Sequence, residues 1–160
     1  MGEQVKGSDR IDRPAVLVAE DDEDLRELFI LLFEEAGYTV ITASDGESAL
    51  ACLCIYPAAL VVLLDWWMPG LDGLAVLQAM AANPSHAQRH SYFLFTIRHE
   101  AARPLLAALP AHLAVTLVSK PVDIFHLRRL VDGAAARLRD RHHTFAQLSV
   151  GAGESQGQGS

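Results

Sequence analysis

Five short runs with almost no charge, Ala15–Ala19, Tyr38–Thr42, Leu60–Leu64, Tyr92–Thr96 and Val115–Ser119, recur along the chain with helical patterns between them. They are mostly continuous apolar runs rather than alternating ones, as expected of parallel strands covered on both faces. The first intervening helix is the clearest: Leu25, Leu28, Phe29, Leu32 and Ala36 fall at helical spacing, acidic residues crowd its start, and Gly37 follows its end. A second helix is expected over about Glu47–Tyr56, closed by Pro57. A third covers about Gly73–Ala82, stopped by Asn83-Pro84. A fourth lies within Ala101–His112, interrupted by Pro104 and Pro110. A fifth follows Pro121, with Leu127, Leu130, Val131, Ala134 and Leu138 on one stripe. Five strand–helix units specify an α/β sheet with right-handed crossovers.

The chain reads as one folded domain over 14–144, between a flexible N-terminal tail (1–13) and a disordered C-terminal tail (145–160). The last ten residues, "GAGESQGQGS", are low in complexity and nearly free of apolar groups, so burial cannot offset their ordering entropy. A net charge of −7 argues against holding nucleic acid by phosphate neutralisation and against an anionic membrane surface. Met1–Pro14 has no apolar core of a secretory signal. The uncharged stretch Ala49–Leu64 falls short of the ~20 residues of a membrane span and contains Tyr56 and Pro57. Cys52 and Cys54 have no second pair to build a zinc site or disulfide framework. The expected compartment is the cytoplasm.

The segment "VVLLDWWMPGLDG" (Val61–Gly73) places Asp65 at the end of a buried strand, where a charge is costly. In an open α/β sheet the site forms beyond the carboxyl ends of the strands. Glu20, Asp21 and Asp22 follow the first strand and Asp65 the third; Thr96 ends the fourth and Lys120 follows the fifth. Clustered carboxylates need a cation or shared protons. Hard oxygen donors near solvent suit Mg²⁺ (or Mn²⁺), and a metal-assisted aspartate can attack a phosphoryl group. Such a transfer needs its equatorial oxygens neutralised, and the metal, ammonium and hydroxyl would supply that. Lys120 and Lys6 are the only lysines in a chain with eleven arginines, which suggests that a compact point charge is wanted before Pro121.

These residues resemble the receiver domain of two-component response regulators. "VLVAEDDEDLRELF" is similar to that family's first strand and acidic pair, "VVLLDWWMPGLDGLAVL" to its phosphoacceptor segment, "FLFT" to its fourth strand and "LVSKP" to its fifth. The resemblance spans roughly residues 14–140. It implies a flavodoxin-like, doubly wound three-layer (βα)5 fold with strand order 2-1-3-4-5. It also implies that Asp65 accepts phosphate from a histidine kinase or histidine phosphotransfer protein. Asp21, Asp65 and the Trp67 backbone carbonyl would ligate Mg²⁺, with Glu20 acting through a metal-bound water. Thr96 and Lys120 would contact the phosphoryl oxygens, and a cis peptide bond would precede Pro121. The only catalysis expected is the protein's own phosphotransfer and dephosphorylation.

Two positions depart from the family's pattern. Leu117 stands where the family carries a switch aromatic, so signalling is expected to run through the loop after Thr96 and the fourth helix. Ile97, with Arg98 and Trp67, stands where small groups are usual, which is expected to shield the acyl phosphate from water. Trp66 and Trp67 read as surface-loop packing. His86 and His90 read as a solvated loop or helix end rather than a metal pair. On the last helix, Arg128, Arg129 and Arg137 read as a solvated face, and His142 and His143 as dipole complements. A flavodoxin-type flavin site is disfavoured by the acidic loop "EDDED", and a haloacid-dehalogenase phosphatase by Trp67 in place of a second aspartate. About twenty residues after the last helix cannot hold a DNA-binding module, so a stand-alone regulator that contacts an unidentified target protein is expected. The alternative is a pseudo-receiver, an interaction module that no longer uses phosphate. The oligomeric state stays open, with a monomer the simplest reading.

Overall fold

A computed structural model describes residues 13–151, with side chains described through Thr144. The rest of the two expected tails lies outside the described residues. In chain order the elements are β1 (Ala15–Ala19), α1 (Glu23–Glu35), β2 (Val40–Ala43), α2 (Gly46–Ile55), β3 (Leu60–Asp65), α3 (Gly73–Ala81), α4 (Pro84–Ala87), β4 (Ser91–Thr96), α5 (His99–Ala107), β5 (Val115–Ser119) and α6 (Ile124–Gly151). All strand pairs are parallel, in the order β2-β1-β3-β4-β5. This is the doubly wound arrangement expected.

Side-chain alternation along the strands divides the core in two. Leu17 of β1 and Leu64 of β3 face a layer that includes Leu53 of α2, Leu77 of α3 and Ala102 of α5. Val16 and Val18 of β1 face Phe29 and Phe33 of α1 and Leu127, Val131 and Leu138 of α6. Both faces of β1 and β3 are therefore dry. Their polar termini are the first places along these strands where solvent and charge can enter.

Four boundaries differ from the sequence reading, each for a local reason. Tyr38 is not in β2, because its N–H closes α1 by bonding to the Phe33 carbonyl at 3.0 Å while Gly37, at φ +84°, turns the chain. Asn83-Pro84 does end α3, but the pair also starts α4: the Asn83 side chain accepts from the His86 N–H, and proline fits the first turn. The fourth expected helix begins at His99 and stops at Ala107, before Pro110, and accommodates Pro104 internally. The last helix continues past 145, the expected start of the C-terminal tail, to Gly151: it contains no proline, and it carries Gly133 internally. Arg13, counted within the N-terminal tail, is anchored: its guanidinium donates to the Ala36 carbonyl at 3.0 Å and lies over the Tyr38 ring.

His90 corrects another expectation. It is buried, not solvated, and its Nδ1 accepts the N–H of Leu60, the first residue of β3, at 3.1 Å. Burial, then the neighbouring Arg89 and His86, hold its pKa down at about 4, so the ring is neutral at physiological pH.

Candidate functional site

The C-terminal ends of β1, β3 and β5 deliver Glu20, Asp65 and Lys120 to one place. The ladder carries past the strand ends: the Glu20 N–H bonds to the Ala43 carbonyl, the Trp66 N–H to the Phe95 carbonyl, and the Lys120 N–H to the Thr96 carbonyl. These bonds fix the main chain at each functional residue. The Lys120–Pro121 peptide is cis.

Lys120 Nζ lies 2.8 Å from Asp65 Oδ1 and 3.2 Å from Glu20 Oε2. Both carboxylates are nearly excluded from solvent, whereas the Lys120 side chain is partly open. Glu20 Oε1 also accepts the Asp22 N–H at 3.2 Å, so both Glu20 oxygens are engaged. Asp21 is exposed at the rim. One oxygen from each of Glu20, Asp21 and Asp65 falls within 4.8 Å of the others. Three carboxylates against one ammonium leave a formal charge of −2, a hard-oxygen set that fits a divalent ion such as Mg²⁺.

Burial and mutual charge set the pKa directions within this cluster. Burial, then the charge of Asp65, pushes Glu20 up to about 7 against the pull of Lys120. Burial also raises Asp65, with Lys120 opposing and Asp21 adding to the rise. Burial opposes the charge on Lys120, but the hydrogen bond and charge of Asp65, with those of Glu20, raise its pKa on balance.

The loop after β3 is shaped by two close approaches. Asp72 caps α3, accepting the Ala75 N–H at 2.8 Å, and the Gly73 N–H bonds to the Trp66 carbonyl at 2.9 Å. A Cβ on Gly73 would overlap the Asp65 carbonyl and a Leu94 methyl, and one on Gly46 would overlap the Leu71 backbone. The glycine of "GLDG" therefore lets α3 start against the main chain of Asp65. Gly73→Ala is expected to cost about 3 kcal/mol, because the main chain it strikes cannot give way. Denaturant midpoints at constant m-value would measure this, and a loss under about 0.5 kcal/mol would show that the contact relaxes freely.

The remaining expected residues divide. Thr96 is buried, and its Oγ1 accepts the Arg98 N–H at 3.0 Å. Among the described residues the Trp67 carbonyl has no hydrogen-bond partner, while its indole is exposed. Trp66 does not pack on the surface: continued pairing with Phe95 turns it inward, and it is buried beside Met68. Ile97 is exposed. Leu117, opposite Leu94 in the ladder, packs against the core layer that includes α5. A cavity of about 220 Å³ beside Thr96 is lined by Trp66, Trp67, Arg98, Ala102 and Leu105. Its walls come from two distant loops and α5, so no local sequence pattern signals it. Among the described residues, Glu20, Asp21 and Asp65 form the one carboxylate, His or Cys cluster able to hold a metal, and His86 and His90 take no part in it. Among the described residues, no helix is long and apolar enough to cross a membrane.

The arrangement has counterparts among known proteins. A receiver domain of Methanospirillum hungatei, described as CheY-like, superposes with a TM-score of 0.64 at 24% identity, covering 79% of this chain and 98% of that one. The receiver domain of a Pseudomonas aeruginosa sensor histidine kinase, solved with magnesium coordinated in its active site cleft, gives 0.63 at 20% identity, covering 78% and 98%. At these identities the likeness concerns the fold. The transcriptional regulatory protein AruR of Pseudomonas aeruginosa is 43% identical over 72 residues, 42% of this chain and 29% of AruR. The alkaline phosphatase synthesis regulator PhoP of Bacillus subtilis is 42% identical over 65 residues, 41% of this chain and 27% of PhoP. Each match spans less than a third of the curated relative. The model of the response regulator receiver domain matches residues 16–132, most of the chain, and the protein belongs to that family.

Proposed function

We propose that Asp65 accepts a phosphoryl group from the phosphohistidine of a histidine kinase or phosphotransfer protein, and that the phosphorylated domain signals through contact with another protein. The observation that carries this reading is the Lys120 ammonium seated between Asp65 and Glu20, with Asp21 within ligating reach. An Asp65 carboxylate oxygen attacks phosphorus, the P–N bond breaks, and its electron pair returns to the imidazole nitrogen. Lys120 leaves its ion pair with Asp65 to hold a phosphoryl oxygen, and the Thr96 hydroxyl donates to another. Glu20 keeps Lys120 in place meanwhile. A bound Mg²⁺ or Mn²⁺, held by Asp21, Asp65 and the Trp67 carbonyl with Glu20 acting through water, would neutralise the remaining phosphoryl charge.

Retention of Glu20, Asp21, Asp65 and Lys120 in one cluster supports phosphate use over a pseudo-receiver. The curated relatives named as transcriptional regulators extend well beyond the matched region, and the function proposed is that of the receiver part. The test is to incubate the protein with Mg²⁺ and acetyl phosphate, weigh it intact and map the adduct. One acid-stable, base-labile phosphoryl group on Asp65 is expected. No adduct from acetyl phosphate or from a panel of phosphorylated phosphotransfer proteins would overturn the reading.

A further inference from the structure

We propose a second site, on the opposite edge of the sheet, that binds a small phosphate-bearing molecule. A cavity of about 180 Å³ lies between the start of β1, the α1–β2 turn and α6, and three guanidinium groups line it: Arg13, Arg128 and Arg139. On α6, Arg128, Asp132, Ala135, Ala136 and Arg139 are spaced i, i+4, i+7, i+8 and i+11, a single helical stripe. The arginines stand at its two ends, and the alanines between them leave the room.

The charges of these arginines are only partly answered. Arg13 gives one donor, Nη1, to the Ala36 carbonyl and its face to the Tyr38 ring, both neutral groups. Arg139 has no partner among the described residues. Asp132 is the one carboxylate of the cavity, and it is already shared: Oδ1 takes the Tyr38 hydroxyl at 2.5 Å, and Oδ2 takes Arg128 Nε at 3.2 Å. That bond uses one of the five Arg128 donors and leaves its terminal nitrogens free. Three guanidinium charges against one carboxylate leave +2, in a chain whose net charge is −7. All three arginines are half-buried rather than fully solvated.

A phosphomonoester carries about −1.5 to −2 at pH 7, which matches that charge, and its oxygens accept the paired N–H donors of guanidinium forks. The organic part has a place as well. A second cavity of about 200 Å³ shares Arg13, Pro14 and Arg139 with the first and continues over the apolar Ala58, Ala59 and Leu138 toward His142 and His143. The site lies at the N-terminal end of β1 and along the first turns of α6, away from Asp65.

The experiment is a ¹H–¹⁵N NMR titration of the full chain, in EDTA at pH 7, with inorganic phosphate, adenosine monophosphate and citrate. Without metal the Asp65 cluster is anionic and repels all three probes. Saturable, sub-millimolar shifts at Ala135, Ala136 and Tyr38 are expected with one or both phosphate probes. Arg139→Gln is expected to weaken that binding at least tenfold. Ala136→Leu is expected to abolish it by filling the cavity without disturbing the helix. Asp132→Asn, which removes the one opposing charge, is expected to tighten it. Absence of localised shifts, equal binding by Arg139→Gln, or citrate binding as tightly as the phosphate probes would overturn the proposal.

Discussion

Replacing Asp65 by asparagine is expected to abolish phosphoryl incorporation and, in the same protein, to raise its stability at neutral pH without metal. An amide has no anionic oxygen to attack phosphorus, so an intact-mass measurement should find no adduct. The stability gain follows from the pKa directions. Asp65 and Glu20 both titrate above their unfolded values, so between those values the native state holds more protons than the unfolded chain. Stability from these groups is therefore full below the unfolded pKa, 4.5 for Glu20, and is lost as pH rises through the folded one, about 7. Asparagine mimics the protonated form and removes one of the three repelling charges, so the acid-side advantage should shrink. Melting temperatures from pH 4.5 to 8 in EDTA would measure this. A variant that is less stable than the parent at pH 8 would show that the Asp65–Lys120 ion pair outweighs the repulsion.

Lys120→Met is expected to act in the opposite direction on stability while also disabling transfer. Removing one member of a largely buried charged set leaves its partners uncompensated, at a cost of about 3 kcal/mol. Here both Glu20 and Asp65 lose their common cation. Their pKa values must rise further, so the loss from these two groups should be small up to about pH 7, the parent's value for Glu20, and should grow as pH rises from there toward the variant's higher value. Phosphoryl transfer should fall at least a hundredfold, because the ammonium no longer neutralises a phosphoryl oxygen. Added Mg²⁺ should recover part of the stability through binding to the folded state. Coupling Lys120→Met with Asp65→Asn should recover more stability than additivity allows. A strictly additive double variant would argue that the short Lys120–Asp65 contact carries little energy.

The residues that carry both predictions were legible before any coordinates, for a topological reason. Parallel strands buried on both faces show as uninterrupted apolar runs, and each run ends where its backbone leaves the sheet. A polar residue at that point, such as Asp65 after "VVLL" or Lys120 after "VTLVS", is therefore assigned to the functional edge by sequence alone. The structure brings Glu20, Asp21, Asp65 and Lys120 to one cluster at that edge.

Features that depend on what packs against a segment were not legible. The direction of Trp66 is set by one further ladder bond to Phe95, and nothing in "DWWMP" distinguishes that tryptophan from its exposed neighbour. His90 looked solvated among polar residues, yet it is drawn inside to satisfy the N–H that begins β3. Tyr38 looked like a strand residue, and the helix before it claims its N–H.

The arginines divide in the same way. Helical spacing placed Arg128 on the last helix, but only the fold brings Arg13 from the chain start and Arg139 from three turns later around one cavity. Sequence by itself determined the order of the elements, the sheet and the chemistry of its carboxyl edge, because apolar periodicity and strand ends are local. The inward or outward course of single side chains, and the meeting of charges distant in the chain, were decided by tertiary packing, because burial and pairing depend on neighbours that the local pattern does not name.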